Sequence, residues 1–250
     1  MESSNIISLQ NIKVEFVKNQ PVLQNFNLNL NKGETLAILG PGGSGKTTII
    51  KVILGIVKPQ LGNVSIFRKN INFLNYNEKT TLFKKIGTAF QQGALFDFMT
   101  VRENILFALE NMTNFNKKEQ EERVIAYLDQ VSLLKSANKS PGELSGGMKR
   151  RVGVIRALVT DPELVLLDEP TAGLDPVTTT VIIDMIHSIA KNTGTTIISV
   201  TSNLDFAFRF SSKVAILKDG QIIGQGTKDE LLGLDNEWIS KFLTIRKNNF

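Results

Sequence analysis

The 250-residue chain has no cysteine. That removes disulfide frameworks, thiolate nucleophiles and cysteine-ligated zinc together, and leaves any chemistry to oxygen, nitrogen and hard metals. Long apolar runs are missing as well. Ile49-Ile50-Lys51-Val52-Ile53-Leu54 is broken by a lysine, and no segment approaches the ~20 apolar residues of a spanning helix, so any membrane role is expected to run through a partner. The start, Met1-Glu2-Ser3-Ser4-Asn5, carries an acid where a secretion signal carries bases, and the chain is expected to stay unexported. Charge of one sign is not in excess either: 29 Lys and Arg against 24 Asp and Glu give +5. That surplus is too small and dispersed to imply nucleic acid as a partner, although it permits a weakly anionic surface nearby.

What is present is a chain that should fold. Hydrophobic residues make up 42% and charged residues 21%, close to ordinary globular composition. The length suits one large domain or one domain with an inserted lobe. No internal repeat, low-complexity tract or Pro/Gly-rich linker divides it. Ile7–Ile12, Lys13–Val17 and Phe26–Leu30 alternate with period two and are expected as strands, with Asn31-Lys32-Gly33-Glu34 as a turn. Thr35–Leu39 reads as a strand buried on both faces, followed by a glycine-rich loop and a helix over Thr47–Val57. Val101–Asn111 and Lys117–Ser136 have helical apolar spacing and suggest a helical lobe. Leu164–Leu167 and Thr196–Val200 are further buried strands flanking a helix over Val177–Lys191. This is an α/β pattern with crossovers.

Gly40-Pro41-Gly42-Gly43-Ser44-Gly45-Lys46-Thr47 fits G-x-x-x-x-G-K-[ST] between a buried strand and a helix, the context that motif requires. The glycines let backbone N–H groups turn toward phosphate oxygens. Lys46 reaches the β and γ phosphates, and the Thr47 hydroxyl is a Mg²⁺ ligand. Leu164–Leu167 runs into Asp168 and Glu169. Alone these read first as acids capping a strand; beside a phosphate loop, Asp168 is expected as a metal-shell carboxylate and Glu169 as the base that orients water, their directions expected to differ by strand alternation. Leu144-Ser145-Gly146-Gly147-Met148 precedes a helix over Lys149–Val159, so Ser145 and the amides of Gly146 and Gly147 form a second helix-start anion site.

With two phosphate-binding surfaces in this order, the chain resembles the ATP-binding subunit of an ATP-binding-cassette (ABC) transporter, over essentially its whole length. The resemblance implies a P-loop NTPase fold of ABC type: a RecA-like core sheet, an N-terminal antiparallel β subdomain and an inserted helical subdomain at about 93–157, all in one domain with a short tail at about 228–250. It implies ATP and Mg²⁺ as cofactors, ATP binding by the whole 40–48 loop including Thr48, and a signature motif at Ser145 that completes the opposing subunit's site. Gln91 resembles the Q-loop glutamine that touches Mg²⁺ and senses the membrane partner. Gly173-Leu174-Asp175 resembles the D-loop at the dimer interface. Phe16 resembles the aromatic that stacks on adenine, while a core strand Phe remains the plainer reading.

Phe90–Asp97, Leu144–Arg151 and the tail Asn236–Leu243 look most like the ATPases of MCE (mammalian cell entry) phospholipid transport systems. That likeness implies a second ATPase copy, an integral membrane permease pair, an MCE substrate-binding protein, phospholipid cargo, and a peripheral place on the cytoplasmic face of the inner membrane. Leu95, Phe96, Phe98 and Met99 either pack in the core or line the groove that receives a permease helix.

One position departs from the pattern. After Ile197–Thr201, where most members place a histidine on the γ-phosphate, this chain has Ser202, then Asn203. The only histidine, His187, sits mid-helix and reads as a solvent-facing or packed residue. Two alternatives therefore stay open: a nucleotide-gated switch with very slow hydrolysis, and an ATPase with a soluble partner, as in iron–sulfur assembly members. DNA-repair members carry long coiled coils between the two nucleotide motifs, and no such insertion occurs here.

Overall fold

The computed structural model describes residues 5–244. The acidic N-terminal start and the end of the tail fall at 1–4 and 245–250, outside the described residues. The strands are β1 (Asn5–Val17), β2 (Gln20–Asn31), β3 (Thr35–Leu39), β4 (Leu61–Ile66), β5 (Lys69–Asn70), β6 (Ile86–Ala89), β7 (Leu164–Asp168), β8 (Thr196–Thr201), β9 (Val214–Lys218) and β10 (Gln221–Gly226). The helices are α1 (Lys46–Ile53), α2 (Tyr76–Phe83), α3 (Val101–Met112), α4 (Lys117–Gln130), α5 (Gly146–Leu158), α6 (Pro176–Thr193), α7 (Leu204–Phe210), α8 (Lys228–Leu232) and α9 (Glu237–Thr244). They fall into two compact units. One takes the described residues through Asn75 and from Ser199 onward; the other is Tyr76–Ile198, so that β8 contributes to both.

In the first unit an antiparallel sheet runs in the order β2-β1-β4-β5. The two strands expected at 7–12 and 13–17 are a single strand. Leu9 and Ile12 are three residues apart and would point to opposite faces of a regular strand, yet both are buried, as is Val14. Asn11 sits at φ 52° where the pairing slips from Leu9↔Leu28 to Ile12↔Phe26, and this bulge returns the later residues to the core face. The unit also holds the ladder β10-β9-β3-β8. Within it β3 pairs in parallel with β9, Ala37↔Val214 through Leu39↔Ile216, and all four residues Leu36–Leu39 are buried. Helix α1 stops at Ile53 rather than continuing to Val57. Gly55 turns left-handed at φ 66°, and the Ile56 and Val57 amides both return to the Lys51 carbonyl at 2.9 and 3.1 Å.

In the second unit β6 and β7 pair in parallel, and β7, buried at every residue, also adjoins the start of β8. Capping boxes at Thr100/Glu103 and Asn116/Glu119 begin α3 and α4. Val101, Ile105 and Leu109 of α3, Val124 and Leu128 of α4, and Val152 and Ile155 of α5 are buried. The helix expected to reach Ser136 ends at Gln130: Ser132 turns to φ 56°, the Leu133 amide closes back on the Leu128 carbonyl at 2.8 Å, and a short 3-10 turn covers Leu134–Ser136.

Candidate functional site

The expected site residues lie in both units. In the first unit β3 delivers the chain into the 40–48 loop, pinned at its start by the Gly40 amide on the Thr201 carbonyl at 3.2 Å. Gly45 ends the loop as the N-cap of α1 at φ 99°, where a Cβ would stand 2.8 Å from the Val22 carbonyl oxygen. Only glycine fits there. By contrast, a Cβ on Gly42 or Gly43 would meet nothing within 4 Å. The loop is thus closed toward the protein and open on its outer rim.

Lys46 is buried, and its Nζ donates to the Gly40 and Pro41 carbonyls, each at 2.9 Å. The Ser44 Oγ is buried with no hydrogen-bond partner. Helix α1 carries no side-chain cap and no acid in its first turn. A sheltered ammonium, an unsatisfied hydroxyl and uncapped helix amides around an open rim fit a polyphosphate. Thr47 is half-buried and Thr48 buried. Phe16 is 64% exposed, which removes the core reading of that ring. Ser202 is exposed, and Asn203 next to it caps α7, its Oδ1 accepting from the Phe206 amide at 3.1 Å.

In the second unit Asp168 is the last residue of β7, and both it and Glu169 are buried. Their directions do not follow strand alternation as expected. Glu169 lies beyond the strand at φ 48°, a left-handed conformation that costs a non-glycine residue about 1–2 kcal/mol, and the turn it opens is closed by the Ala172 amide on the Glu169 carbonyl at 3.2 Å. A carboxylate at Asp168 suits Mg²⁺, which takes one or two carboxylates together with substrate phosphates.

Gln91 is exposed at the corner of a turn closed by the Gly93 amide on the Phe90 carbonyl at 2.8 Å. Arg150, which the sequence did not single out, donates Nε to the Gln91 carbonyl at 3.0 Å. Burial draws the Arg150 guanidinium below its usual pKa, and the charge of Glu169 opposes that shift. Ser145 caps α5, its Oγ accepting from the Met148 amide at 3.3 Å, and both Ser145 and Gly146 are exposed, with nothing within 4 Å of a Cβ on Gly146. Gly147 is half-buried, where a Cβ would meet Leu174 Cδ2 at 3.0 Å. Asp175 caps α6 by accepting from the Thr178 hydroxyl at 2.6 Å and the Thr178 amide at 2.9 Å, bonds that hold its carboxyl below the usual range. His187 is exposed on α6.

The aromatic cluster after Gln91 is not core. Phe98 is 82% and Phe107 39% exposed, with Phe96 between them at ring distances of 5.7 and 5.0 Å. Beside it lies a cleft of about 410 Å³ lined by Gln91, Leu95, Gly146, Lys149 and Arg150 among others. Among the described residues no helix is long and apolar enough to cross a membrane.

The ABC transporter family matches residues 23–172. The chain is 35% identical over 245 residues to the osmoprotectant import ATP-binding protein OsmV of Salmonella typhimurium, covering 95% of this chain but 63% of that protein's length. It is 38% identical over 228 residues to the L-cystine import ATP-binding protein TcyN of Bacillus subtilis, covering 90% of this chain and 87% of TcyN. A dimeric structure of a post-hydrolysis state of the ATP-binding cassette MJ0796, bound to ADP and Pi, superposes with a TM-score of 0.82 at 32% identity over 88% of this chain and 98% of that one. These relatives are named for small polar solutes, so they do not carry the MCE lipid likeness read from the short segments. With the glycine-rich 40–48 loop, the Ser145-capped start of α5 and the mixed α/β fold in place, the chain belongs to the ABC transporter ATP-binding family and is an ATPase that works with ATP and Mg²⁺.

Proposed function

We propose that the chain is the energy-coupling subunit of a membrane transporter, working as a homodimer that closes around ATP and reopens after hydrolysis. The observation that carries this reading is the 40–48 loop, with Lys46 sheltered, Ser44 Oγ unsatisfied and the rim open at Gly42 and Gly43. Lys46 and the loop amides hold the triphosphate, Phe16 stacks on the adenine, and Thr47 of the first unit with Asp168 and Gln91 of the second are the residues that would hold the metal. Mg²⁺ neutralises phosphate charge when bound. Glu169 takes the proton of the attacking water, and Ser202 stands where a γ-phosphate donor is needed. The exposed Ser145, Gly146 and Asp175, with Gly147 beside them, serve the nucleotide of the opposing copy.

The permease docks on the helical lobe at about 93–157. The exposed rings of Phe98 and Phe107 beside the cleft support this, since an apolar patch of that kind costs solubility unless a partner covers it. The chain then sits peripherally on the cytoplasmic face of the membrane. Phospholipid of MCE type is the cargo reading from residues 90–97 and 144–151. Import of a small polar solute is the second reading, favoured by the relatives' names. Identity near 35% to proteins named for chemically different solutes does not choose between them, because cargo in this arrangement never touches the ATPase.

Purification of the intact complex from membranes, with mass spectrometry of protein and bound lipid, separates these outcomes. A permease with an MCE protein and phospholipid is the expected result. A small-solute-binding protein without lipid replaces the cargo reading, and a soluble partner alone overturns the transporter.

A further inference from the structure

The turn that carries Gln91 is held from the side facing the helices. Gly93 and Ala94 both adopt left-handed conformations, φ 78° and 48°. For Ala94 this is strained, so the turn needs an external hold. Arg156, on the buried side of α5, provides one: its Nη2 donates to the Gly93 carbonyl at 3.1 Å and the Ala94 carbonyl at 2.8 Å. Its guanidinium also stacks over Phe96 at 5.5 Å. Arg156 Nη1 reaches Asn104 Oδ1 at 3.3 Å.

Asn104 is fully buried in α3 and fixes the next stretch of loop. Its Oδ1 accepts from the Phe96 amide at 2.8 Å, and its Nδ2 is shared among the Phe96, Met99 and Thr100 carbonyls at 3.1, 3.1 and 3.0 Å. The backbones of the loop and α5 also touch: a Cβ on Gly153 would lie 2.8 Å from Gly93 Cα. Arg156 is a half-buried cation whose hydrogen-bond partners are all uncharged. Loop strain, a two-carbonyl fork and direct backbone contact all fall on Gly93 and Ala94, the second and third residues after Gln91.

We infer that Arg156, braced by Asn104, is a positioning residue for Gln91, locking the turn that follows it to the helix that begins at Ser145, where Arg150 holds the Gln91 carbonyl itself. The inference rests on the role proposed above for Gln91. Arg156 need not touch nucleotide. It acts by restricting where the Gln91 amide can point, so its loss should spare ATP affinity and lower turnover.

Arg156→Lys in the full chain keeps the stem and charge but lacks the planar fork that holds two adjacent carbonyls. We expect kcat for ATP to fall about tenfold, with Mg-free ATP affinity unchanged. Exchange of the Gly93 amide in nucleotide-free protein should be about tenfold faster. The kcat loss should vanish when Gln91 is already alanine, as a shared pathway requires. Ala94→Pro is measured alongside, in case Arg156→Lys does not fold. Ala94 is exposed and proline cannot adopt φ 48°, so this variant displaces the turn while leaving α3 and α5 untouched, and it should reproduce the pattern. Parental turnover in Ala94→Pro, parental turnover or exchange in a folded Arg156→Lys, or a kcat loss that persists in the Gln91→Ala background overturns the inference while leaving Gln91 in its role. Parental turnover in Gln91→Ala alone removes the Gln91 assignment and the inference with it.

Discussion

Ser202→His is the substitution that asks most of this site. Ser202 is exposed at the end of β8, and the histidine of the family pattern would extend from the same place. Removing a preorganised donor from a developing charge costs ~3 kcal/mol at comparable sites, which is about a hundredfold in rate. The neighbour Asn203 is the obvious substitute, yet it is engaged. Its Oδ1 accepts from the Phe206 amide at 3.1 Å, and its own amide donates to Thr201 Oγ1 at 3.0 Å. Pulling that side chain off the start of α7 forfeits an N-cap worth ~1 kcal/mol.

The rate ratio between the His variant and the parent therefore distinguishes three situations. A ratio of about a hundred means that nothing fills the role; a ratio near five means that Asn203 leaves its cap to fill it. Single-turnover hydrolysis at saturating ATP and Mg²⁺ reads the ratio, and an ATP titration checks that affinity is unchanged. Asn203→Ala in the parent background should cost stability but little rate if the hundredfold case holds. Equal rates for Ser202 and His would refute the argument outright, and with it the slow-switch alternative.

Lys46→Ala should abolish ATP binding at working concentrations, since it removes the sheltered ammonium that faces the β and γ phosphates and donates to the Gly40 and Pro41 carbonyls; unchanged affinity by calorimetric titration would remove the phosphate-loop assignment. Glu169→Gln should bind ATP normally and accumulate a closed ATP-bound dimer by size exclusion, whereas parental hydrolysis would show that Glu169 is not the base. Phe98→Asp changes a ring that is 82% exposed, so the subunit should stay folded and bind ATP but no longer co-purify with the permease; a collapse in melting temperature would return Phe98 to the core.

Features set by neighbours in the chain were legible from sequence. The β3–loop–α1 passage, the Ser145 start of α5 and the turn at Asn31 depend on residues within a few positions, and the chemistry that makes them is written in those positions. Strands β4, β5, β6, β9 and β10 are not marked by the sequence alone. Ile86-Gly87-Thr88-Ala89 is too short and too mixed to show a period, and it is a strand because β7 supplies the other half of its hydrogen bonds.

Tertiary structure decided the rest. The bulge at Asn11 follows from which face of β1 meets the core. The direction of Glu169 is set by a left-handed turn rather than by strand alternation, and the exposure of Phe16 and Phe98 decided between core and surface for residue types that suit both. The grip of Arg156 and Asn104 on the turn after Gln91 joins groups up to 63 residues apart in sequence. No local pattern encodes such a contact, because its donor and acceptors are chosen by packing and only then by chemistry.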